Sequence, residues 1–307
     1  MKIIYKDVFE GIKELNDNSI KCCITSPPYY KCRNYGNKKQ LGLENTQQEY
    51  ISNLCNVFDC IKNKLTGDGN LFINLGDKYD NNKSLMLIPT NFAKKMKERN
   101  WILRNDIIWY KPNFQPSPVI DRLTNTYEHI FHFTKNKNYY YNLDSIRIPN
   151  KCNNRNNEKV LHRFTNKIKT SNLNNNEKIN AINALNKLYN ENKINKDARL
   201  KIRGQNKILF GSDIKLSGRA KELQSKGYYF HCNNPKGKNP GDLLMINIKS
   251  YHGQHEAIFP EELVEPLIKC GSSEGDIVLD CFAGTGTTCN VAEKLNRVGI
   301  GIELNKN

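Results

Sequence analysis

The chain has 307 residues, long enough for one large core or two smaller ones. Lysine and arginine number 47 against 31 acidic residues, a formal charge of +16, which points to a polyanionic partner, nucleic acid ahead of a membrane surface. No apolar run approaches the roughly 20 residues of a bilayer span, the start MKIIYKDVFEG lacks a signal-peptide core, and the ten cysteines show no zinc-ligand spacing. A soluble cytoplasmic protein with reduced thiols, no metal and no membrane contact is expected.

In chain order, KIIYKD reads as a strand ending at Asp7, EGIKEL as a short helix and IKCCITS as a buried strand. Residues 48–65 set Ile51, Leu54, Phe58, Ile61 and Leu65 on one helical face. GDGNLFINLGD is a turn and a strand with an acidic exit at Asp77, SLMLIPTNFAKKMKERN an amphipathic helix, and WILRNDIIWYKP and EHIFHFTK further strands. Strands alternating with helices of this length predict an α/β sheet with parallel crossovers.

From about Asn150 to about Lys226 the pattern gives way to an Asn/Lys-rich stretch with scattered apolar residues. One helix fits within Glu177–Leu188, and little here is expected to build a core. Order returns at GDLLMINIKS. FPEELVEPLIKCGS is then a helix with a glycine stop, GDIVLDCFAGTGTT a strand into a glycine loop, CNVAEKLNR a helix and VGIGIEL a strand.

Two loops carry chemistry. TSPPYY, residues 25–30, follows a strand, and its paired prolines end that strand and fix the backbone. IVLDCFAGTGTT, residues 277–288, lets the backbone approach a ligand at Gly284 and Gly286 and opens a helix with free N–H groups. No lysine suits a phosphate-cradling loop, and Cys289 stands where a dinucleotide fingerprint needs its third glycine. Asp280 before the loop and Glu303 on the next strand instead suit a ribose and a cationic centre, as in S-adenosyl-L-methionine; the plain alternative is a strand–turn–helix.

TSPPY together with LDCFAGTGTT resembles the beta class of amino-directed DNA methyltransferases, which act on cytosine N4 or adenine N6. The motif order matches, and so do GNLFINLGD, WYKPN, DRLTNTYEHIFHFTK, GKNPGDLL and HEAIFPEELVEPLI. The resemblance implies a class I S-adenosylmethionine-dependent fold, a seven-stranded, mostly parallel sheet with permuted motif order. Residues 1–149 would be its catalytic half, 150–230 a target-recognition insertion and 231–307 its cofactor-binding half. Asp280, Phe282, Gly284, Thr285 and Gly286 would line the cofactor site, Thr287 and Thr288 open its helix, and Glu303 hold the ribose. Asp7 would meet the adenine amino group, with Phe259 and Pro260 near the methionine end. Two letters depart from the family, Cys281 for Pro and Thr285 for Ser, and the stop after Glu303 omits a helix that commonly follows.

An exocyclic amino group is a weak nucleophile, so the target base must leave the duplex, and acceptors must localise its lone pair. Ser26 Oγ and the Pro27 carbonyl would be those acceptors, Pro28 would stiffen their mount, and Tyr29 would stack on the base. Ser in the first motif position favours cytosine N4 over adenine N6. A protein-glutamine methyltransferase and a DNA-binding relic fit less well with Ser26, the permuted order and the basic insertion. Double-stranded DNA is the implied partner, with the nucleoid as its setting. The resemblance also leaves room for a homodimer and a cognate restriction endonuclease. Arg155, Arg163, Arg199 and Arg203 of the insertion, with Arg33 and Tyr35 after the catalytic loop, are candidate DNA contacts.

Overall fold

The computed structural model describes residues 1–149, 154–195, 198–204, 218–232, 234–248 and 259–306. They divide into two units, residues 1–146 with 240–307, and residues 147–239.

The first unit is built on a sheet of eight strands, β1 (Lys2–Tyr5), β2 (Ile20–Thr25), β3 (Leu65–Leu75), β4 (Ile102–Tyr110), β5 (Tyr127–Thr134), β8 (Leu243–Met245), β9 (Ile277–Asp280) and β10 (Val298–Glu303), in the order β1-β10-β9-β2-β3-β5-β4-β8. The first five in that order are parallel. β5 runs antiparallel to both neighbours, because residues 111–126 return from β4 without a helix. The sheet exceeds the implied seven strands by β8, three residues that extend the edge by pairing parallel with β4 from Ile108–Leu243 to Tyr110–Met245.

Alternation along the central strands buries both faces. One face takes Leu71, Ile73 and Leu75 of β3 with Ile12 of α1 (Val8–Lys13), Leu54 and Phe58 of α2 (Gln47–Lys64), and Phe92 and Met96 of α3 (Ile88–Glu98). The other takes Ile24, Phe72 and Ile130 with Leu263, Leu267 and Ile268 of α7 (Glu261–Gly271) and Val291 of α8 (Thr287–Lys294). α2 carries the expected apolar face and starts with a capping box between Thr46 and Glu49. Asp7 does not end a strand. Its carboxylate caps α1, accepting from the Glu10 N–H at 3.2 Å, so helix begins two residues earlier than expected.

The second unit holds α4 (Asn154–Lys169), α5 (Asn175–Asn190), α6 (Gly218–Lys226) and an antiparallel pair, β6 (Arg199–Ile202) with β7 (Tyr228–His231). It has a core of its own, contrary to its composition. Val160, Phe164 and Ile168 repeat every four residues along α4 and meet Ala181, Leu185, Leu200 and Ile202.

Candidate active site

Strand direction decides what meets here. The carboxyl ends of β1, β10, β9, β2, β3 and β4, and the start of β5, all lie on one edge of the sheet. In open α/β sheets that edge is where ligands sit. It gathers Asp7, TSPPYY, the glycine loop and Glu303, which the chain spreads over nearly its whole length.

Buried hydrogen bonds join the two loops at Thr25, whose hydroxyl also accepts from the Cys281 thiol at 3.7 Å. Thr25 Oγ1 donates to Asp280 Oδ1 at 2.6 Å, and the same oxygen accepts the Phe282 N–H at 3.1 Å. Burial pushes the Asp280 carboxyl up to about 6, and the hydrogen bonds from Thr25 and the Phe282 N–H oppose the rise. Asp280 is thus placed behind the loop as its brace. Glu303 lies at the loop's front, where Oε2 accepts the Gly284 N–H at 2.7 Å and Oε1 the Asn305 N–H at 3.1 Å. Each carboxylate oxygen keeps lone-pair capacity for a further donor. Gly284 has φ +51°, and a Cβ built there would meet nothing within 4 Å, so the loop faces open space. Gly286, at φ +80°, caps α8, which starts at Thr287; Thr288 is buried in its first turn and Thr285 is exposed.

Asp7 is shared between its cap and Lys39, whose ammonium lies 3.0 Å from Oδ2. Burial raises its carboxyl, and hydrogen bonding to Lys39 and the Glu10 N–H outweighs this, leaving it below the ordinary value. Lys39 belongs to the loop after TSPPYY, which also reaches Asn305 from Asn37 and the Tyr35 carbonyl. Gln40 holds the Arg33 carbonyl and the Tyr35 N–H, so this loop has internal order. Phe259 and Pro260 precede α7, and the Phe259 ring meets Trp109 edge-on at 6.5 Å. Residues 255–258, part of the same matching segment, lie outside the described residues.

In the TSPPYY loop Pro27 is buried while Ser26, Pro28 and Tyr29 are half-buried. Tyr50 of α2 donates to the Pro28 carbonyl at 2.8 Å, and Tyr30 is buried against the Tyr50 ring with its hydroxyl on the Asn45 carbonyl at 3.1 Å. Tyr30, without an assigned task in the sequence, is an anchor. Tyr29 lies across Gly76, where a Cβ would come within 2.8 Å of Cε2, so only glycine admits the ring. Its hydroxyl donates to Glu128 Oε2 at 2.7 Å and accepts from Asn74 Nδ2 at 2.6 Å. Lys111 pairs with the same Glu128 carboxylate and lies 4.5 Å over the Trp109 ring. Burial, then the Glu128 charge, holds the Tyr29 hydroxyl well above its ordinary value, so it stays a neutral donor. Asn74, Glu128, Lys111 and Tyr50 were not singled out in the sequence. Asn74, Glu128 and Lys111 lie in segments that carry the resemblance and Tyr50 lies outside them on α2, and the Tyr29 cluster is visible only once residues 45 and 99 positions apart are side by side.

Among the insertion arginines, Arg203 is engaged within its own unit, by Glu177 Oε1 at 2.8 Å and the Gln224 carbonyl. Arg163 lies over the Phe164 ring at 5.1 Å, Arg199 is exposed on β6, and the Arg155 side chain lies outside the described residues. Among the described residues there is no group of three or more His, Cys, Asp or Glu able to hold a metal, and no helix is long and apolar enough to cross a membrane.

A parallel sheet with one antiparallel strand, a glycine loop after β9 and an acidic residue closing β10 is the fold of the class I S-adenosylmethionine-dependent methyltransferases. Two solved structures share it over 99% of this chain: the cytosine-N4-specific PvuII DNA methyltransferase (TM-score 0.60, 18% identity, 81% of that chain) and a Thermus thermophilus protein assigned as a DNA modification methylase and complexed with S-adenosyl-L-methionine (0.54, 19%, 88%). Residues 20–307 match the N6/N4 DNA methylase family, and the chain belongs to it: it is an S-adenosylmethionine-dependent DNA methyltransferase. Relatives include the Type II methyltransferases M.SmaI of Serratia marcescens, 29% identical over 99% of this chain and 87% of that protein, and M.MwoI of Methanothermobacter wolfeii, 32% identical over 96% and 30%. They place it among the methyltransferases of restriction-modification systems.

Proposed function

We propose that the enzyme transfers a methyl group to the exocyclic N4 of a flipped cytosine in double-stranded DNA. The observation that carries this reading is the Thr25–Asp280 hydrogen bond, which joins the residue before Ser26 to the residue opening the glycine loop. It fixes a donor side and an acceptor side against each other, the condition for proximity catalysis.

The residues suit S-adenosylmethionine: the loop is open at Gly284, carries no lysine, and has Glu303 beside it for ribose hydroxyls. When bound, that cofactor supplies a methyl already activated on a sulfonium, so no strong base is needed before attack. Asp7 would meet the adenine amino group, Phe259 and Pro260 the methionine end. Ser26 Oγ and the Pro27 carbonyl accept the two amino hydrogens and localise the lone pair on the nitrogen. Tyr50 holds the Pro28 carbonyl, which stiffens their mount. Tyr29 would stack on the base, an interaction typically worth about 1–3 kcal/mol. The preference for cytosine rests on Ser26, since the resemblance associates Ser in that position with N4 enzymes and Asp with N6 enzymes. Adenine N6 is the second reading. Residues 150–230 would recognise the target.

The test is to incubate the protein with methyl-labelled cofactor and mixed DNA, digest to nucleosides and identify the label. 4-Methylcytosine supports the proposal, 6-methyladenine replaces it with the second reading, and unlabelled DNA overturns both.

A further inference from the structure

Ile120 is fully exposed and Leu123 is 90% exposed, in the loop of residues 111–126 between β4 and β5. Large aliphatic side chains left in water forgo the free energy that burial would give them. Exposed apolar groups rimmed by polar ones mark interaction sites.

The two residues between them are tied down. Asp121 pairs with Lys83 at 2.7 Å, and the Arg122 guanidinium lies 3.8 Å over the Tyr79 ring. Tyr79 also reaches Asn125 Oδ1 at 3.4 Å. Lys83 and Tyr79 belong to a neighbouring loop that closes on itself by the Tyr79–Leu85 bridge and the bond from the Met86 N–H to the Lys78 carbonyl. Two loops thus brace each other through Asp121 and Arg122, and the apolar pair on either side of these is left outward.

The place of this rim in the sheet gives it a partner. Residues 111–126 leave β4 at Lys111 and enter β5 just before Glu128, an ion pair whose carboxylate accepts the Tyr29 hydroxyl. β5 lies two strands from β2, about 10 Å along the sheet. A base taken from a duplex leaves a gap in the stack, and proteins fill such gaps with aliphatic wedges.

We propose that Ile120 and Leu123 form a wedge that enters the DNA stack beside the target base and holds it flipped toward Tyr29. This assignment rests on the base-flipping methyltransferase reading above. A second copy of the chain is the competing occupant, and the test separates the two.

The site that wild type methylates is first mapped by sequencing plasmid DNA, which by itself tests the methyltransferase reading. Two duplex oligonucleotides then carry that site, one with the target base paired and one with it opposite an abasic position. I120S/L123S is expected to lose about 20-fold or more in kcat/KM on the paired duplex and under about 3-fold on the abasic one, where unpairing is already done. Cofactor binding is unchanged, and I120M/L123M, which keeps two apolar tips, retains the wild-type ratio between duplexes. Equal losses on both duplexes, or no loss on either, overturn the proposal. So does a wild-type dimer that I120S/L123S converts to monomer in sedimentation while the duplex ratio stays fixed.

Discussion

Asn70 and Asn74 lie on the same strand, four residues apart and on the same face, and both are buried. Asn70 has every polar atom matched: Nδ2 donates to the carbonyls of Tyr140 and Gly271, and Oδ1 accepts from His132 Nε2 at 2.9 Å. Asn74 spends Nδ2 on Tyr29 and Glu128, while Oδ1 has no hydrogen-bond partner among the described residues. The first lies at the middle of β3 and the second near its carboxyl end. A closed hydrogen-bond set locks the fold, and an open one, at the edge where ligands bind in such sheets, leaves an acceptor for a ligand.

The largest effect expected is on stability, at the closed cluster. Asn70→Ala strands His132 and two backbone carbonyls in the core, and unfolding free energy should fall by about 4 kcal/mol, read by urea denaturation.

Next comes pH, where two buried groups have opposite signs. His132 is pushed down to about 3 by burial, so the unfolded chain binds the proton more readily between there and the ordinary value of 6.5. Its contribution to stability is complete above about 6.5 and is lost as pH falls. Asp280 is raised from 3.8 to about 6, so there the folded state binds the proton more readily, and stability falls as pH rises through that window, by about 3 kcal/mol. Asp280→Asn keeps an acceptor for Thr25 and should gain on wild type by that amount between pH 4 and 7 in parallel denaturation curves. A constant difference across that range would show that Asp280 is not the titrating group.

Third, Asn74→Ala should leave cofactor affinity intact and reduce methyl transfer about 100-fold, because Tyr29 loses one of its two fixed partners. If stability drops as far as in Asn70→Ala while the rate is kept, the contrast between the two asparagines fails.

The smallest effect is at Tyr50→Phe. Losing the bond to the Pro28 carbonyl should cost about 1 kcal/mol of stability and less than about 10-fold in rate.

How much of this could be read from residues alone follows from distance along the chain. The glycine loop and TSPPYY are local, since each ends a strand with residues whose backbone preferences show in the letters. The Tyr29–Asn74–Glu128 cluster is assembled from partners 45, 54 and 99 residues apart, and nothing in GNLFINLGD or TYEHIFHF separates Asn74 from Asn70 or Glu128 from a solvated acid. Asp7 reads as a strand exit because the capping bond to Glu10 depends on where the helix starts. The small core of the second unit was hidden by abundant Asn and Lys, although one apolar residue per turn, at Val160, Phe164 and Ile168, was enough to build it.

In the proposed mechanism two loops on one sheet edge divide the reaction, the glycine loop holding the cofactor and TSPPY aligning the amino group. Ser26→Ala tests it most directly, with methyl-labelled cofactor measured both as binding to the protein and as label reaching DNA. Unchanged binding and a transfer rate reduced about 100-fold or more are expected. Transfer at the wild-type rate would contradict it.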